Sequence, residues 1–521
     1  LTGGRYSVEE AHKTHKWLIT LTVLTGSIMA ALDTSIVNVA LPHMMGSLGA
    51  SVEEITWVST SYILSSVIIM PIVALLSSRF GRKRLYLFCV LLFTCGSTLC
   101  GFAWDLPSMV IFRIVQGIGG GTLIVASQAI LRETFPPEEQ GMAMGIYGLG
   151  VILGPAIGPT LGGWLTDTYS WPWIFFVKAP LGIVNALLVI KFIEDPPYLI
   201  RERRKMDLAG LFFMIVGLGA LQIMLEKGEQ KDWFASHFIV TLAVISLIGL
   251  ALFIIRELTT DEPAVDLRIL SDFSFSSATF LSGVLTLALM GSLFLLPLLL
   301  QQLLQYPAYD SGLALLPRSI AMGISMPLSG WLYNRTGPRL LVVSGLLVNA
   351  VSFYQLSTLS IDVGFWDIFL PQFIQGIGFG LIFVALSTAA LSHMEKRLMT
   401  AASGLFNVIR QVMGSVGIAL AATLLSRGEQ VNRALLVEHV SAFKDVTASS
   451  VNTLAGYLFS RGAGMHAARE KALKVLDGIV MQQSGMLTYN HIFFRISVLF
   501  LLCIPLVLII KDKRKIEDRM D

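Results

Sequence analysis

The chain has 521 residues, of which 54 % are hydrophobic and only 14 % charged, and its mean hydropathy is +0.71. A soluble core cannot absorb that much apolar surface, so the composition predicts a helical protein that lives in lipid. A formal charge of +3, spread over scattered basic residues, gives no ground for a nucleic-acid partner.

The remaining side-chain chemistry is equally restrictive. Cys89, Cys95, Cys100 and Cys503 all fall in apolar runs, without the spacing of a disulfide framework or a zinc site, and read as packing residues. The eight histidines are dispersed, with only His12 and His15 close together. A membrane-embedded enzyme would need clustered nucleophile, acid–base or metal-ligand groups, so neither an enzyme nor a cofactor is expected. Leu1 to Lys16 is polar and lacks a cleavage site behind a short apolar region, so the first apolar run is expected to stay as a membrane helix.

About 20 apolar residues of helix cross a bilayer core. That template predicts fourteen spans, at 17–41, 55–77, 84–103, 108–130, 140–165, 173–194, 208–225, 236–255, 275–299, 311–332, 340–360, 366–391, 401–425 and 489–510. The seventh and eighth are the shortest and read as either spanning or re-entrant. An even count places both termini on one side. The connections on that side carry most of the 38 Lys and Arg, in runs such as Arg79/Arg82/Lys83/Arg84, Arg201/Arg203/Arg204/Lys205 and Lys511/Lys513/Arg514/Lys515. The short loops opposite hold only Lys227 and Lys231. The positive side is expected to be cytoplasmic.

The sequence also repeats. ALLSSRFGRKRL (Ala74–Leu85) returns as GWLYNRTGPRLL (Gly330–Leu341) at an offset of 256, pairing Arg79 with Arg335 and Gly81 with Gly337. QGIGGG (Gln116–Gly121) returns as QGIGFG (Gln375–Gly380) at an offset of 259. An all-α fold of two six-helix halves is therefore expected, over 1–195 and 259–521, with a linker and two inserted helices at 196–258. Parallel repeats of this kind enclose a substrate cavity near the bilayer midplane. The second half carries a long loop at 426–488, whose stretch GMHAAREKALKVLDGIVMQQ sets Ala468, Leu473, Val475, Leu476 and Ile479 among charges with a helical period. It reads either as a docking surface or as a cap on the chain's own fold.

Asp33 is the one acid deep inside an apolar span, because Asp167, Glu226, Glu257 and Asp310 fall at span ends. A carboxylate there must be protonated, paired or wetted, and alternation among those states is what a proton carrier requires. The competing reading is a helix-packing Asp hydrogen-bonded permanently to a neighbour such as Asn38. The position equivalent to Asp33 in the ninth span is near Ala288, so only one half holds the acid. Arg113 lies inside the fourth span one turn before Gln116, and its repeat mate is Gln372. Its guanidinium needs either an anionic partner or backbone carbonyls. Lys178, Arg318 and Arg495 read as side chains that reach toward the interface. Arg410 is expected to face the cavity, with Asn38, Tyr62, Gln116, Gln128, Gln372, Gln375 and Asn407 as further polar candidates. Gly117–Gly121 follows no strand and lies mid-span, so it is not a phosphate loop.

At this point the motifs resemble a known family. ALLSSRFGRKRL is similar to the loop signature of the major facilitator superfamily, IFRIVQGIGGG (Ile111–Gly121) to its fourth-helix signature, and GVILGPAIGPTLGG (Gly150–Gly163) to its fifth-helix antiporter signature. With LDTSIVNVALP (Leu32–Pro42) they resemble the fourteen-helix drug:proton antiporters, and Arg201–Phe234 and Glu257–Leu270 are similar to the EmrB-type branch even across the inserted helices. The resemblance implies export of hydrophobic drugs from a bacterial inner membrane, driven by the proton gradient alone. It assigns proton coupling to Arg113 beside Asp33, a gate to Gly81, Arg82 and Lys83 with Arg335 and Gly337 in the repeat, and an antiporter helix to Gly154, Pro155, Gly158, Pro159, Gly162 and Gly163. It further implies an EmrA-type periplasmic adaptor and a TolC-type outer-membrane channel. Ser78 stands where the family's loop usually has Asp, with Asn334 in the repeat, so any latch there must be weaker or different. A nutrient or metabolite symporter shares the fold and remains the alternative.

Overall fold

The computed structural model describes residues 3–136, 138–195, 207–392, 394–440, 445–461 and 464–507. The basic runs at 201–205 and 511–515 lie outside the described residues. In chain order the long helices are α1 (Gly3–Leu48), α2 (Val52–Phe80, with a tighter turn at Met70–Ile72), α3 (Arg82–Gly101), α4 (Leu106–Thr134), α5 (Gln140–Thr168), α6 (Trp173–Phe192), α7 (Leu208–Lys227) and α8 (His237–Thr259). They continue as α9 (Phe273–Leu303), α10 (Ala308–Thr336), α11 (Pro338–Leu356), α12 (Phe365–Leu391), α13 (Met399–His439), α14 (Asp445–Ser460) and α15 (Met465–Val507).

Polar residues set the ends of these helices. Asp105 accepts from the Ser108 amide at 2.9 Å at the start of α4, and the Asp272 carboxylate accepts the Ser274 and Phe275 amides at the start of α9. The reversals between α2 and α3 and between α10 and α11 turn on Gly81 (φ +86°) and Gly337 (φ +79°). Only glycine enters that left-handed region without strain, which explains why the repeat keeps a glycine at both places.

Among the described residues, thirteen helices are long and apolar enough to cross a membrane. The expected tenth span is the 29-residue helix α10, which carries Asp310, Arg318, Asn334 and Arg335 along its length. The seventh and eighth spans are continuous helices of 20 and 23 residues, long enough to cross rather than re-enter.

The packing is repeated as the sequence is. α1 lies on α5 and α2 on α4, as α9 lies on α13 and α10 on α12. In the first group Gly117 sits against the Tyr62 carbonyl, and in the second Gly376 sits against that of Arg318. Lipid tails give apolar helices no hydrophobic reason to associate, so close approach at small residues carries the assembly. α7 and α8 pair with each other, and α7 rests on both α2 and α13. Its Gln222 donates to Ser415 at 2.7 Å, and Glu226 accepts from Thr60.

The two groups meet toward the end of the bundle that holds Lys16, Gly81 and Met399. A Cβ on Gly141 would lie 2.6 Å from the Gly330 carbonyl, one on Gly145 2.6 Å from that of Met326, and one on Gly404 2.7 Å from that of Met70. Arg82 reaches Thr400 at 3.3 Å and pairs with Glu133, and Asn334 donates to the Glu138 carbonyl. The same face of α5, followed outward, carries Pro159, which is exposed, and Gly163, whose added Cβ would meet only Val39 at 3.9 Å. The groups therefore close against each other at one end and part toward the other.

Among the described residues the connection at 426–488, read with a helical period, is largely helix. α13 runs unbroken to His439 and the last helix begins at Met465, so both outlast any bilayer crossing: 43 residues of α15 extend about 65 Å. The extensions are joined by Asn432 to Thr488 (2.8 Å), Ser484 to the Glu429 carbonyl (2.8 Å) and Arg433 to Asp477 (2.7 Å). Ala468, Ala472 and Val480 are buried between helices, whereas Leu473, Val475 and Ile479 point outward and Leu476 is half-buried.

Candidate functional site

A buried polar cluster forms where α1, α2, α4 and α6 converge. The first helix brings Asp33, fully buried, and its carboxylate is paired with both Arg113 of α4 and Lys178 of α6. Gln116 Nε2 donates to Asp33 Oδ1 at 2.8 Å, and Arg113 Nη1 donates to Gln116 Oε1 at 2.8 Å. Arg113 Nε takes the Val58 carbonyl at 2.8 Å. The guanidinium stacks over the Tyr62 ring at 4.4 Å, and the Tyr62 hydroxyl donates to the Ala30 carbonyl at 3.1 Å. The Lys178 ammonium lies 4.9 Å from the Phe175 ring.

One carboxylate thus serves two cations. Taking each ion out of water costs several kcal/mol, which only tight pairing and satisfied hydrogen bonds repay. Protonation of Asp33 would remove the anion that holds both cations, so the cluster is a device that cannot keep its geometry when the acid changes state.

The glycine series of α5 holds α1 in place. A Cβ on Gly154 would lie 2.6 Å from the Leu32 amide, one on Gly158 would meet Ser35, and one on Gly162 would lie 2.9 Å from the Ile36 carbonyl. The series flanks Asp33, and its close contacts are with α1; Gly141 and Gly145, earlier on the same helix, contact the other group. Pro155 and Pro159 lie within the helix. Gly158→Leu is expected to force α1 and α5 apart and to destabilise the protein by about 1–3 kcal/mol. A thermal unfolding midpoint equal to the wild type's would show that the contact does not constrain α1.

Several sequence expectations change here. Asp33 is not bonded to Asn38, which is exposed and accepts from Ser59 at 2.8 Å. Arg113 satisfies both readings at once, since it holds the acid and a carbonyl. Lys178 does not reach toward the interface: it points inward and is fully buried, because its partner Asp33 lies on the facing helix α1. Arg318 is also buried, 3.1 Å from both Ser292 Oγ and Gln375 Oε1, whereas Arg495 is exposed. Gln128 and Asn407 do not line open space; they bond to each other across the two groups. Gln372 is buried with neither amide atom hydrogen-bonded. Arg410 lies on the Phe383 and Phe406 rings at 4.6 and 5.4 Å and approaches Thr286 at 3.4 Å.

Around the loop signature, Ser78 donates to the Leu75 carbonyl at 2.9 Å, and among the described residues it has no other hydrogen-bond partner. The start of α3 is instead met by Asp195, which accepts from the Lys83 amide at 2.8 Å, while Lys83 Nζ takes the Ile190 carbonyl at 2.7 Å. Arg335 stacks on Trp331 at 3.8 Å. Sequence reasoning missed the pairing of Lys178 with Asp33, although charge bookkeeping offered a signal: an acid and an arginine inside spans leave a third ionised residue in an apolar helix without an obvious partner.

A family model described as "Major Facilitator Superfamily" matches residues 23–418. The fatty acid resistance protein FarB of Neisseria gonorrhoeae is 35 % identical over 95 % of this chain and 96 % of its own. The multidrug export protein EmrB of Escherichia coli is 32 % identical over 94 % of each chain. Among solved structures, the proton:xylose symporter XylE superposes with a TM-score of 0.61 at 13 % identity, covering 96 % of this chain and 97 % of that one. The human organic anion transporter MFSD10 superposes at 0.62 and 14 %, covering 94 % and 99 %.

Proposed function

From the premise that this chain belongs to the major facilitator superfamily and is a polytopic membrane transporter related to EmrB-type exporters, we propose that it exports amphipathic drugs from the inner membrane in exchange for protons. The observation that carries this reading is the Asp33 carboxylate shared by Arg113 and Lys178. The named functions of EmrB and FarB favour export over uptake, so a metabolite symporter is the second reading.

The division into halves at 1–195 and 259–521, with inserted helices between, is part of the proposal. With the positive side cytoplasmic, the closed end faces the cytoplasm and the cleft opens outward. In this state a proton reaches Asp33 from outside, the carboxyl lets go of its cations, and α1 is free to shift against the glycines of α5. The clamp at Gly141–Gly330, Arg82–Thr400 and Asn334–Glu138 then opens, Asp33 yields its proton inward, and a drug replaces it. Gly81, Arg82, Lys83, Arg335 and Gly337 form the gate. The experiment is uptake of a fluorescent substrate into inverted proteoliposomes with and without a pH gradient. Accumulation that ignores the gradient would refute exchange.

The helical extensions beyond the membrane fit an EmrA-type adaptor that hands drugs to a TolC-type channel. Leu473 and Ile479 expose apolar surface that the described residues leave uncovered. Leu473→Glu with Ile479→Glu, and Leu476→Glu beside them, are expected to reduce adaptor co-purification and cellular resistance at least about tenfold while transport in liposomes persists. Joint loss of both activities would assign the extensions to the transport path itself.

A further inference from the structure

Helix α2 is gripped from both sides. Arg113, which with Lys178 shares the Asp33 carboxylate, takes the Val58 carbonyl at 2.8 Å and lies over the Tyr62 ring at 4.4 Å. Thr60 points about 200° around the helix from Tyr62 and donates to Glu226 of α7. One turn earlier on α7, Gln222 Nε2 donates to Glu226 Oε1 at 3.0 Å and to Ser415 Oγ of α13 at 2.7 Å. Thr60 and Gln222 are buried, and among the described residues Glu226 makes no ion pair, so neutral donors hold its carboxylate. This grip lies toward the end where the two groups part. At the closed end α2 meets α13 directly, with Gly404 against the Met70 carbonyl, and farther out α7 lies against both. Lys227 donates to the Glu53 carbonyl at 3.0 Å and to Thr56 of α2, Lys231 pairs with the Glu53 carboxylate at 2.7 Å, and Trp233 Nε1 donates to Thr423 Oγ1 of α13 at 2.8 Å. α8 backs α7, with Gly217 against the Leu250 amide.

Direct contacts therefore run from Asp33 through Arg113, α2 and α7 to α13. Contact alone does not transmit a state; an element with two arrangements is needed, and α2 is placed to be that element. Resting on the exchange reading above, we propose that the inserted helix α7 is a strap through which the state of Asp33 sets the opening between α2 and α13, with Thr60, Glu226, Gln222 and Ser415 as positioning residues. While Asp33 is ionised, Arg113 holds α2 in the rotation that keeps Thr60 on Glu226, and α7 props the outer ends apart. A buried guanidinium without its anion is costly where it stands, so on protonation of Asp33 it gives up the Val58 carbonyl. α2 then turns, Thr60 leaves Glu226, and the outer end closes. The proton stays with Asp33 throughout, and the strap only reads it.

The test is the distance between spin labels at Ser47→Cys and Gln302→Cys, exposed positions at the outer ends of α1 and α9, in full-length Cys95→Ser protein in nanodiscs. Asp33→Asn fixes the acid as neutral and is expected to raise the ratio of outer-closed to outer-open molecules at least about tenfold. Where that variant unfolds, Asp33→Asn with Lys178→Met takes its place, read against Lys178→Met alone. Thr60→Val keeps the shape of the side chain and removes the donor, and Ser415→Ala cuts the strap at its other end. In either background the factor produced by Asp33→Asn is expected to fall to about one, whereas Thr60→Ser keeps the donor and should keep the factor. A strap that merely stabilised the fold would shift both members of each comparison alike and leave the factor intact. A factor undiminished by Thr60→Val or by Ser415→Ala routes the signal through α1 and α5 and overturns the assignment, as does its loss with Thr60→Ser. If Asp33→Asn leaves the distance unchanged with the strap intact, the exchange reading itself fails. A factor that is present but indifferent to Thr60 removes only the present inference.

Discussion

Asp33→Asn is expected to bring gradient-driven export to background. The amide has the shape of the acid but carries no proton at any accessible pH, so the cluster has only one state. The substitution also leaves Arg113 and Lys178 facing each other without an anion. Breaking a buried pair from one side costs about 3–5 kcal/mol, so a lowered unfolding midpoint is expected alongside lost transport. A control separates the two effects. Asp33→Asn with Lys178→Met removes one cation with the acid, and is expected to recover stability but not coupled export. If the double variant recovers export, loss of fold rather than loss of the proton carrier explains the single one.

Lys178→Met is expected to lower gradient-driven export at least about tenfold, in line with truncation of one member of a buried, hydrogen-bonded charge pair. The remaining Asp33–Arg113 pair is neutral and still bonded through Gln116, so the protein should fold. The measurement that isolates Lys178 is the number of protons moved per substrate. A side chain that merely reached toward the interface would change neither flux nor stoichiometry, and wild-type values for both would remove Lys178 from the mechanism.

The course of the helices was legible because bilayer thickness imposes a length that composition reveals directly. The repeat was legible for a different reason: Gly81 and Gly337 need positive φ, and Gly117 and Gly376 meet backbone, so both copies keep glycine. The direction in which a side chain points was not legible. Lys178 and Arg495 look alike in sequence, yet one is sealed against an acid and the other exposed, because only the helix's rotation against its neighbours decides. Glu226 lies at a helix end, where an acid usually meets water, but there Thr60 and Gln222 close on its carboxylate. The buried guanidinium of Arg132, none of whose nitrogens finds a hydrogen bond among the described residues, was likewise invisible before the packing was known. The reach of the extramembrane helices was not legible, because composition marks where a helix leaves the bilayer and not where it stops: α13 and α15 continue their own membrane helices and pair through Arg433–Asp477 and Asn432–Thr488.

The central claim is that proton and substrate compete through Asp33. It is tested most directly by adding substrate to purified protein in weakly buffered solution and reading the protons released. Release from the wild type is expected where Asp33 is protonated, falling to none at pH values at which it is fully ionised, with no release at any pH from Asp33→Asn even where that variant still binds substrate. Equal release from wild type and Asp33→Asn would contradict it.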